Sequence, residues 1–241
     1  MSKRSSCPEC KAVLSKSLSS VANCDYCQAL LLRVNNEYST IKCKGCSAPL
    51  KLEGELSQLK ILVCSYCQTA MDSEEEFKAL YTYANIQKPN SSLEVGMRGE
   101  INGVEYTIVS LIVYKSRAVE WLEFRLYSST KGYLKLLKKE GNYILLEKFS
   151  KKIEKNIWLL KQNETFELED KKFTIESFAF SEVYYALGNI DSKINKNQRN
   201  KQCFAKSNEV CFHSVYSKEN IDYYLGDKIE GVEELFSLNV N

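Results

Sequence analysis

This 241-residue chain holds a single histidine, His213, so any mechanism has one imidazole to work with. Its longest strongly apolar runs, such as Thr107-Ile-Val-Ser-Leu-Ile-Val113, are far too short to cross a bilayer as a helix. After Met1-Ser-Lys-Arg4 comes Ser5-Ser6-Cys7 rather than an apolar stretch. That predicts no export, a cytoplasmic setting and reduced thiols. No Walker loop, dinucleotide glycine fingerprint, nucleophile elbow or His-Glu-x-x-His helix occurs, which removes the familiar enzyme classes that use them. Surplus charge of one sign is missing too: the formal net charge is +2.

Cysteine is what the chain does have. Eight of its ten cysteines form four Cys-x-x-Cys pairs within the first 67 residues: Cys7/Cys10, Cys24/Cys27, Cys43/Cys46 and Cys64/Cys67. Two such pairs separated by a short hairpin make a tetrahedral four-thiolate site, with a metal about 2.3 Å from each sulfur. The gaps between knuckles are 13 residues (Lys11 to Asn23) and 17 residues (Ser47 to Val63). An internal repeat says which knuckles belong together. Cys7-Pro-Glu-Cys-Lys-Ala-Val-Leu14 aligns with Cys43-Lys-Gly-Cys-Ser-Ala-Pro-Leu50, and Cys24-Asp-Tyr-Cys-Gln28 with Cys64-Ser-Tyr-Cys-Gln68. Two tandem zinc ribbons, 1–35 and 36–71, are therefore expected rather than an interleaved cross-brace. Where ribbons often carry glycine after the second cysteine, this chain has Lys11, Gln28, Ser47 and Gln68. Spacing admits zinc or iron, and zinc is expected. A site closed by four thiolates has no open position, so the two Zn²⁺ are expected to be structural. Units of this size bury too little core to fold unaided, and metal binding supplies the difference.

The metals also change the charge balance. Eight thiolates around two Zn²⁺ contribute a net −4, taking the loaded chain to about −2. Residues 1–70 carry nine Lys/Arg against five Asp/Glu, an excess that the metal sites cancel. Little positive charge then remains to drive counterion release from nucleic acid.

Further along, Ser73-Glu-Glu-Glu76 reads as a capping box, predicting a helix to about Ile86 with Phe77, Leu80, Tyr81 and Ala84 on its apolar stripe. Pro89-Asn-Ser-Ser92 reads as a linker, so 72–92 is a connecting helix and linker before a domain at 93–241. That domain reads as short antiparallel strands. Asn102-Gly103 is a hairpin turn between Gly99–Ile101 and Val104–Val109. Val119–Leu126 follows, with Trp121 and Glu123 on one face and Leu122, Phe124 and Leu126 on the other. Further strands are predicted at Tyr133–Leu137, Tyr143–Leu146, Ile157–Leu160, Thr165–Leu168, Phe173–Phe180 and Val183–Leu187. Asp191–Lys201 reads as a polar loop and Ile229–Leu238 as a terminal helix. The predicted class is mainly β: two small zinc ribbons followed by an antiparallel barrel-like or sandwich domain.

Gly96-Met-Arg-Gly99, Gly103-Val-Glu-Tyr106, Trp121-Leu-Glu-Phe124, Gly132-Tyr-Leu134, Gly141-Asn-Tyr-Ile-Leu145 and Tyr223-Tyr-Leu-Gly-Asp-Lys-Ile229 resemble the family catalogued as domain of unknown function 4178. The likeness runs from Leu93 over about 60% of the chain, and zinc ribbons precede that domain in some members. Where many members have Gly-Glu after the central strands, this chain has Gly188-Asn189. The resemblance implies an accessory β domain, often encoded beside membrane-stress or polyamine-related genes, and no particular reaction.

Three readings of the functional residues compete. In the first, which is preferred, the ribbons and β domain form a non-enzymatic adaptor with a protein partner, and peripheral membrane association is open to it. In the second, the ribbons together with Lys148–Lys155 and Lys193, Lys196, Arg199 and Lys201 contact nucleic acid. The bland alternative is a solvated basic face. In the third, Cys211 and His213, two apart on a strand and so on one face, act as nucleophile and base. Against this, Cys203 and Cys211 read equally well as small core residues. Trp121 and Glu123 could line a ligand cleft, or the Trp could lie on a sheet surface covered by the C-terminal segment, with Glu123 satisfied by a nearby lysine or by backbone.

Overall fold

The computed structural model describes residues 5–14, 21–34, 37–117, 119–151, 153, 155–208, 210–217 and 220–238. It divides into two compact units, one comprising Met1–Gln87 with Leu187–Lys193, the other Lys88–Ala186 with Ile194–Asn241.

In the first unit, β1 (Val21–Asn23), β2 (Leu30–Val34) and β3 (Glu37–Thr40) form a three-stranded antiparallel sheet. Single bridges Ala29–Lys51 and Lys42–Pro49 then carry the chain into the next knuckles. There β4 (Ile61–Val63), β5 (Thr69–Asp72) and β6 (Lys78–Thr82) form a second antiparallel set. Its outer partner is Gly188–Ile190, which pairs with β4. The shared core is small: Leu30, Leu50, Leu52, Leu62, Met71 and Phe77 are its main apolar members beside Cys43 and Cys64.

The helix predicted from Ser73 does not form. Ser73 Oγ donates instead to the carbonyls of Leu59 (2.6 Å) and Lys60 (3.0 Å). Glu76 and Phe77 take positive φ, which stops a right-handed helix and turns Phe77 into the core. The chain then runs on as β6. Tertiary pairing with β5 overrides a local capping signal.

The second unit is a closed eight-stranded antiparallel barrel. It begins with β7 (Arg98–Ile101), which pairs with the first residues of β8 (Val104–Lys115) across the Asn102-Gly103 turn. The barrel order is β8, β9 (Glu120–Ser128), β10 (Gly132–Lys139), β11 (Asn142–Phe149), then out of sequence β16 (Ile221–Ile229), β15 (Val210–Tyr216), β14 (Arg199–Ser207) and β13 (Lys171–Ile190). Pairing of β13 with β8 closes the ring. Bulges at Ile108/Ser110 and Ile175/Ser177 bend two of the longest strands, as closure requires.

Four expectations change here. Ile157–Leu159 is a 3-10 turn rather than a strand, with Ile157 packed into an apolar cluster outside the barrel wall. That cluster, which includes Phe166, Phe173, Ile175, Cys203 and Phe212, lies between β13–β15 and the segment carrying β12 (Thr165–Leu168). The two strands predicted across 173–187 are one strand, and the loop predicted to Lys201 ends where β14 begins at Arg199. The terminal helix shrinks to α1 (Val232–Leu235), because β16 extends to Ile229 and β17 (Phe236–Ser237) pairs with β7. Gly99 permits this: a Cβ there would lie 2.3 Å from the Leu235 carbonyl oxygen. Glu233 fastens α1 by accepting from Tyr143 Oη (2.5 Å) and Lys138 Nζ (2.9 Å). Those two bonds, with Ser92, hold its carboxyl at about 2. No helix among the described residues is long and apolar enough to cross a membrane.

Candidate metal centres

All four Cys-x-x-Cys segments fold into the same turn. The amide of the first cysteine donates to the carbonyl five residues on: Cys7 to Ala12, Cys24 to Ala29, Cys43 to Ala48 and Cys64 to Thr69, at 2.8–3.0 Å. The residue after the second cysteine donates back to the first cysteine's carbonyl, from Lys11, Gln28, Ser47 and Gln68, also at 2.8–3.0 Å. These last four residues have φ of 65°, 60°, 63° and 58°. They stand where a glycine would adopt that conformation without strain, and the knuckle forms without one.

The knuckles pair in chain order. Cys7, Cys10, Cys24 and Cys27 form one cluster, and Cys43, Cys46, Cys64 and Cys67 the other; in each, the sulfurs lie within 4.8 Å of one another and could hold a metal ion. Cross-knuckle separations are 3.7 Å (Cys7–Cys27), 3.6 Å (Cys10–Cys24), 3.5 Å (Cys43–Cys67) and 3.8 Å (Cys46–Cys64). A regular tetrahedron with 2.3 Å metal–sulfur bonds has edges of about 3.8 Å, so the donor set fits Zn²⁺. All eight cysteines are free thiols.

The surrounding groups favour thiolates unevenly. The Ala12 amide holds Cys10 down to about 7. Burial pushes Cys27 and Cys64 up to about 12. Cys67 is pushed up by burial as well, but the Thr69 hydroxyl, 3.2 Å from its sulfur, and the Thr69 amide bring it to about 7. A divalent cation would drive the buried thiols to ionise and release their protons. Thr69 and Gly45 escaped sequence reasoning. A Cβ at Gly45 would come within 2.5 Å of Thr69 Oγ1 and 3.1 Å of Cys67 Sγ, so the second cluster closes only around a glycine. The sole hint was the Gly inside Cys43-Lys-Gly-Cys46.

In the barrel, the predicted residues separate. Trp121 lies 5.8 Å from Phe204 and the Lys139 ammonium 4.6 Å from the same ring, between strands that are not neighbours. The face bearing Trp121 and Glu123 therefore points inward, while Leu122, Phe124 and Leu126 pack outside. Glu123 Oε2 meets Lys135 Nζ at 2.9 Å, as a charge contact without the alignment of a hydrogen bond, and Glu123 Oε1 lies 3.8 Å from Arg125. The lysine expected for Glu123 is thus present, but Trp121 is inside a barrel rather than on a covered sheet.

His213 also faces inward, stacked between Phe204 (4.8 Å) and Tyr224 (6.0 Å). Gln202 Nε2 donates to Ser181 Oγ (3.0 Å), leaving its carbonyl oxygen to accept from His213 Nε2–H at 2.7 Å. Burial, then Lys135 and Lys139, push the imidazole well below its ordinary range. Burial also raises the Cys211 thiol and pushes Cys203 up to about 12. A neutral, poorly basic imidazole and a thiol that resists ionisation are the reverse of an activated nucleophile and base. The basic stretches make mostly exposed ion pairs. Lys148 pairs with Asp222, Lys151 with Glu169, Lys193 with Glu74 and Arg199 with Glu182, while Lys201 donates to the Trp158 carbonyl. Lys152 and Glu154 of that stretch lie outside the described residues. Asn189 donates to the Glu53 carbonyl at 3.1 Å.

Comparison with known families gives one match: residues 94–230 fit the family described as Domain of unknown function (DUF4178). The chain belongs to that family. No curated protein and no solved structure matches it. The matched region begins just before β7 and ends just after β16, so it takes in the whole eight-stranded barrel.

Proposed function

We propose that this member of the family is a non-enzymatic, zinc-binding adaptor that works in the cytoplasm by docking another protein. The observation that carries the reading is the closed donor set: two clusters of four sulfurs leave no coordination position for a substrate. In this reading Cys7, Cys10, Cys24 and Cys27 hold one structural Zn²⁺ and Cys43, Cys46, Cys64 and Cys67 the second. The metals cross-link short strands that have little core of their own and so stiffen the knuckle surfaces. The repeat also presents the same side chain at the same place twice. Tyr26 and Tyr66, inside the second knuckle of each ribbon, are 75% and 71% exposed. Exposed tyrosine on a rigid turn suits a docking surface, because it offers a large contact area with few rotatable bonds to immobilise. The setting in this reading is a membrane-associated or stress-response assembly.

The test is affinity capture with the full, zinc-loaded chain as bait, alongside Tyr26→Ser/Tyr66→Ser. A stoichiometric partner that binds the wild type and is lost from the double variant supports the adaptor. Failure to recover any stoichiometric partner from native lysates of several growth states sinks it. Capture that disappears as salt rises, together with co-purifying nucleic acid, would replace it with the nucleic-acid reading.

A further inference from the structure

The barrel has a cleft at the end where β8 turns into β9 and β10 into β11. Its volume is about 810 Å³, within the range of small-molecule sites. Trp121, Val119 and Tyr184 supply apolar and aromatic wall. The cleft also has four cations, Lys115, Arg117, Lys139 and Arg199, against two carboxylates, Glu140 and Glu182. Those carboxylates are engaged: Glu182 with Arg199 (3.0 Å) and Glu140 with Lys139 (3.3 Å). Among the described residues, Lys115 and Arg117 have no carboxylate partner. Lys115 instead lies over the Tyr184 ring at 4.6 Å.

The register then shows what lies below the mouth. Trp121 is directly opposite Lys139, Glu123 opposite Leu137 and Arg125 opposite Lys135, so each pair is one layer deeper in the barrel. Arg125 and Lys135 are 10% and 2% exposed and share one carboxylate, Glu123. Beneath the cleft these two cations flank Glu123 in a low-dielectric setting, where charge acts over longer distances than in water. One polar group in the cleft wall is also unsatisfied. Trp121 is 1% exposed and its indole N–H has no hydrogen-bond partner. A buried donor left in that state is costly unless something supplies an acceptor.

From the cleft, the cationic mouth and the orphan indole donor, we infer that the barrel binds a small aromatic molecule carrying one anionic group, a carboxylate or a phosphate. The ring packs against Tyr184 and Val119, beside the Trp121 position. The anionic group faces Lys115 and Arg117. This activity is separate from protein docking and does not depend on the knuckle tyrosines.

The test uses the zinc-loaded full chain with Trp158→Phe, so that emission reports Trp121 alone. Four probes are titrated: naphthalene-2-carboxylate, 2-naphthyl phosphate, neutral naphthalene-2-carboxamide and inorganic phosphate. Saturable quenching by at least one aromatic anion is expected, with the carboxamide and inorganic phosphate each at least about tenfold weaker. Lys115→Gln/Arg117→Gln should weaken the anion by at least about tenfold, while Lys151→Gln leaves it unchanged. Near-UV circular dichroism of each variant establishes that the barrel is intact. No saturable quenching by either aromatic anion, carboxamide or inorganic phosphate binding as tightly, or indifference to the Lys115/Arg117 change would each overturn the inference. Because none of these readouts involves a protein partner, its failure is distinguishable from that of the adaptor.

Discussion

The two units solve the problem of a small core in opposite ways. The ribbon unit has a thin apolar core, and its buried cysteines serve as both packing and donor set. Each of its two cysteine clusters could hold a metal ion. The barrel closes its own hydrogen-bond ladder and then distributes residues unconventionally. Much of its apolar surface lies outside the wall, where the segment carrying β12 covers one side, while the lumen holds Glu123, Arg125, Lys135, Gln202 and His213. A small unit can thus be built around clustered cysteines or within a covered shell, and in the second case the interior is left available for polar chemistry.

The largest effect that can break this contrast is metal removal. Stripping zinc with a strong chelator should unfold the ribbon unit, since structural zinc contributes on the order of 10–16 kcal/mol in such modules. Hydrogen exchange should rise across β1–β6 and stay low across β8–β11; exchange that rose equally in both would show that the barrel leans on the metals too.

Next in size is the buried ion cluster. Glu123→Gln leaves Lys135 without its counter-charge and should cost about 3–5 kcal/mol in urea unfolding of the barrel. A loss below about 1 kcal/mol would mean that water reaches the lumen freely.

His213 gives a smaller, pH-dependent effect. Its imidazole is held well below the ordinary value in the folded state, so the unfolded chain binds the extra proton. Stability is fully present above about pH 6.5 and falls as pH drops below it, by up to about 1.4 kcal/mol per unit, until the folded ring itself titrates. The groups facing it are Lys135, Lys139, Gln202, Phe204 and Tyr224. His213→Gln should flatten the barrel's stability profile between pH 6.5 and 5; an unchanged slope would assign acid sensitivity elsewhere.

The smallest effect sharpens the ribbon side. Ser47 holds a φ of 63° in a knuckle that glycine fits without strain. Ser47→Gly should stabilise the zinc-loaded unit by up to about 1 kcal/mol, seen as a raised melting temperature, with metal stoichiometry unchanged.

Some features were legible because they are local. The cysteine spacing and the repeat fixed which knuckles face each other, and Asn102-Gly103 marked a hairpin that forms as expected. The helix at Ser73 was misread because its serine serves carbonyls at Leu59 and Lys60, contacts that no local window contains. No strand was predicted at β14 or β16, and β15 only as the strand carrying Cys211 and His213; their order after β11 joins residues about 80 positions apart. Cys211 and His213 looked like a catalytic pair by spacing, but the character of each is set by burial and by Gln202 on the neighbouring strand.

Sequence alone determined which cysteines cluster and the β class, because thiol spacing and strand alternation are short-range properties of the chain. Tertiary structure decided which face of each strand became the lumen, and with it the setting of Trp121, Glu123 and His213. A period-two pattern divides residues into two faces, but only ring closure says which of them is inside.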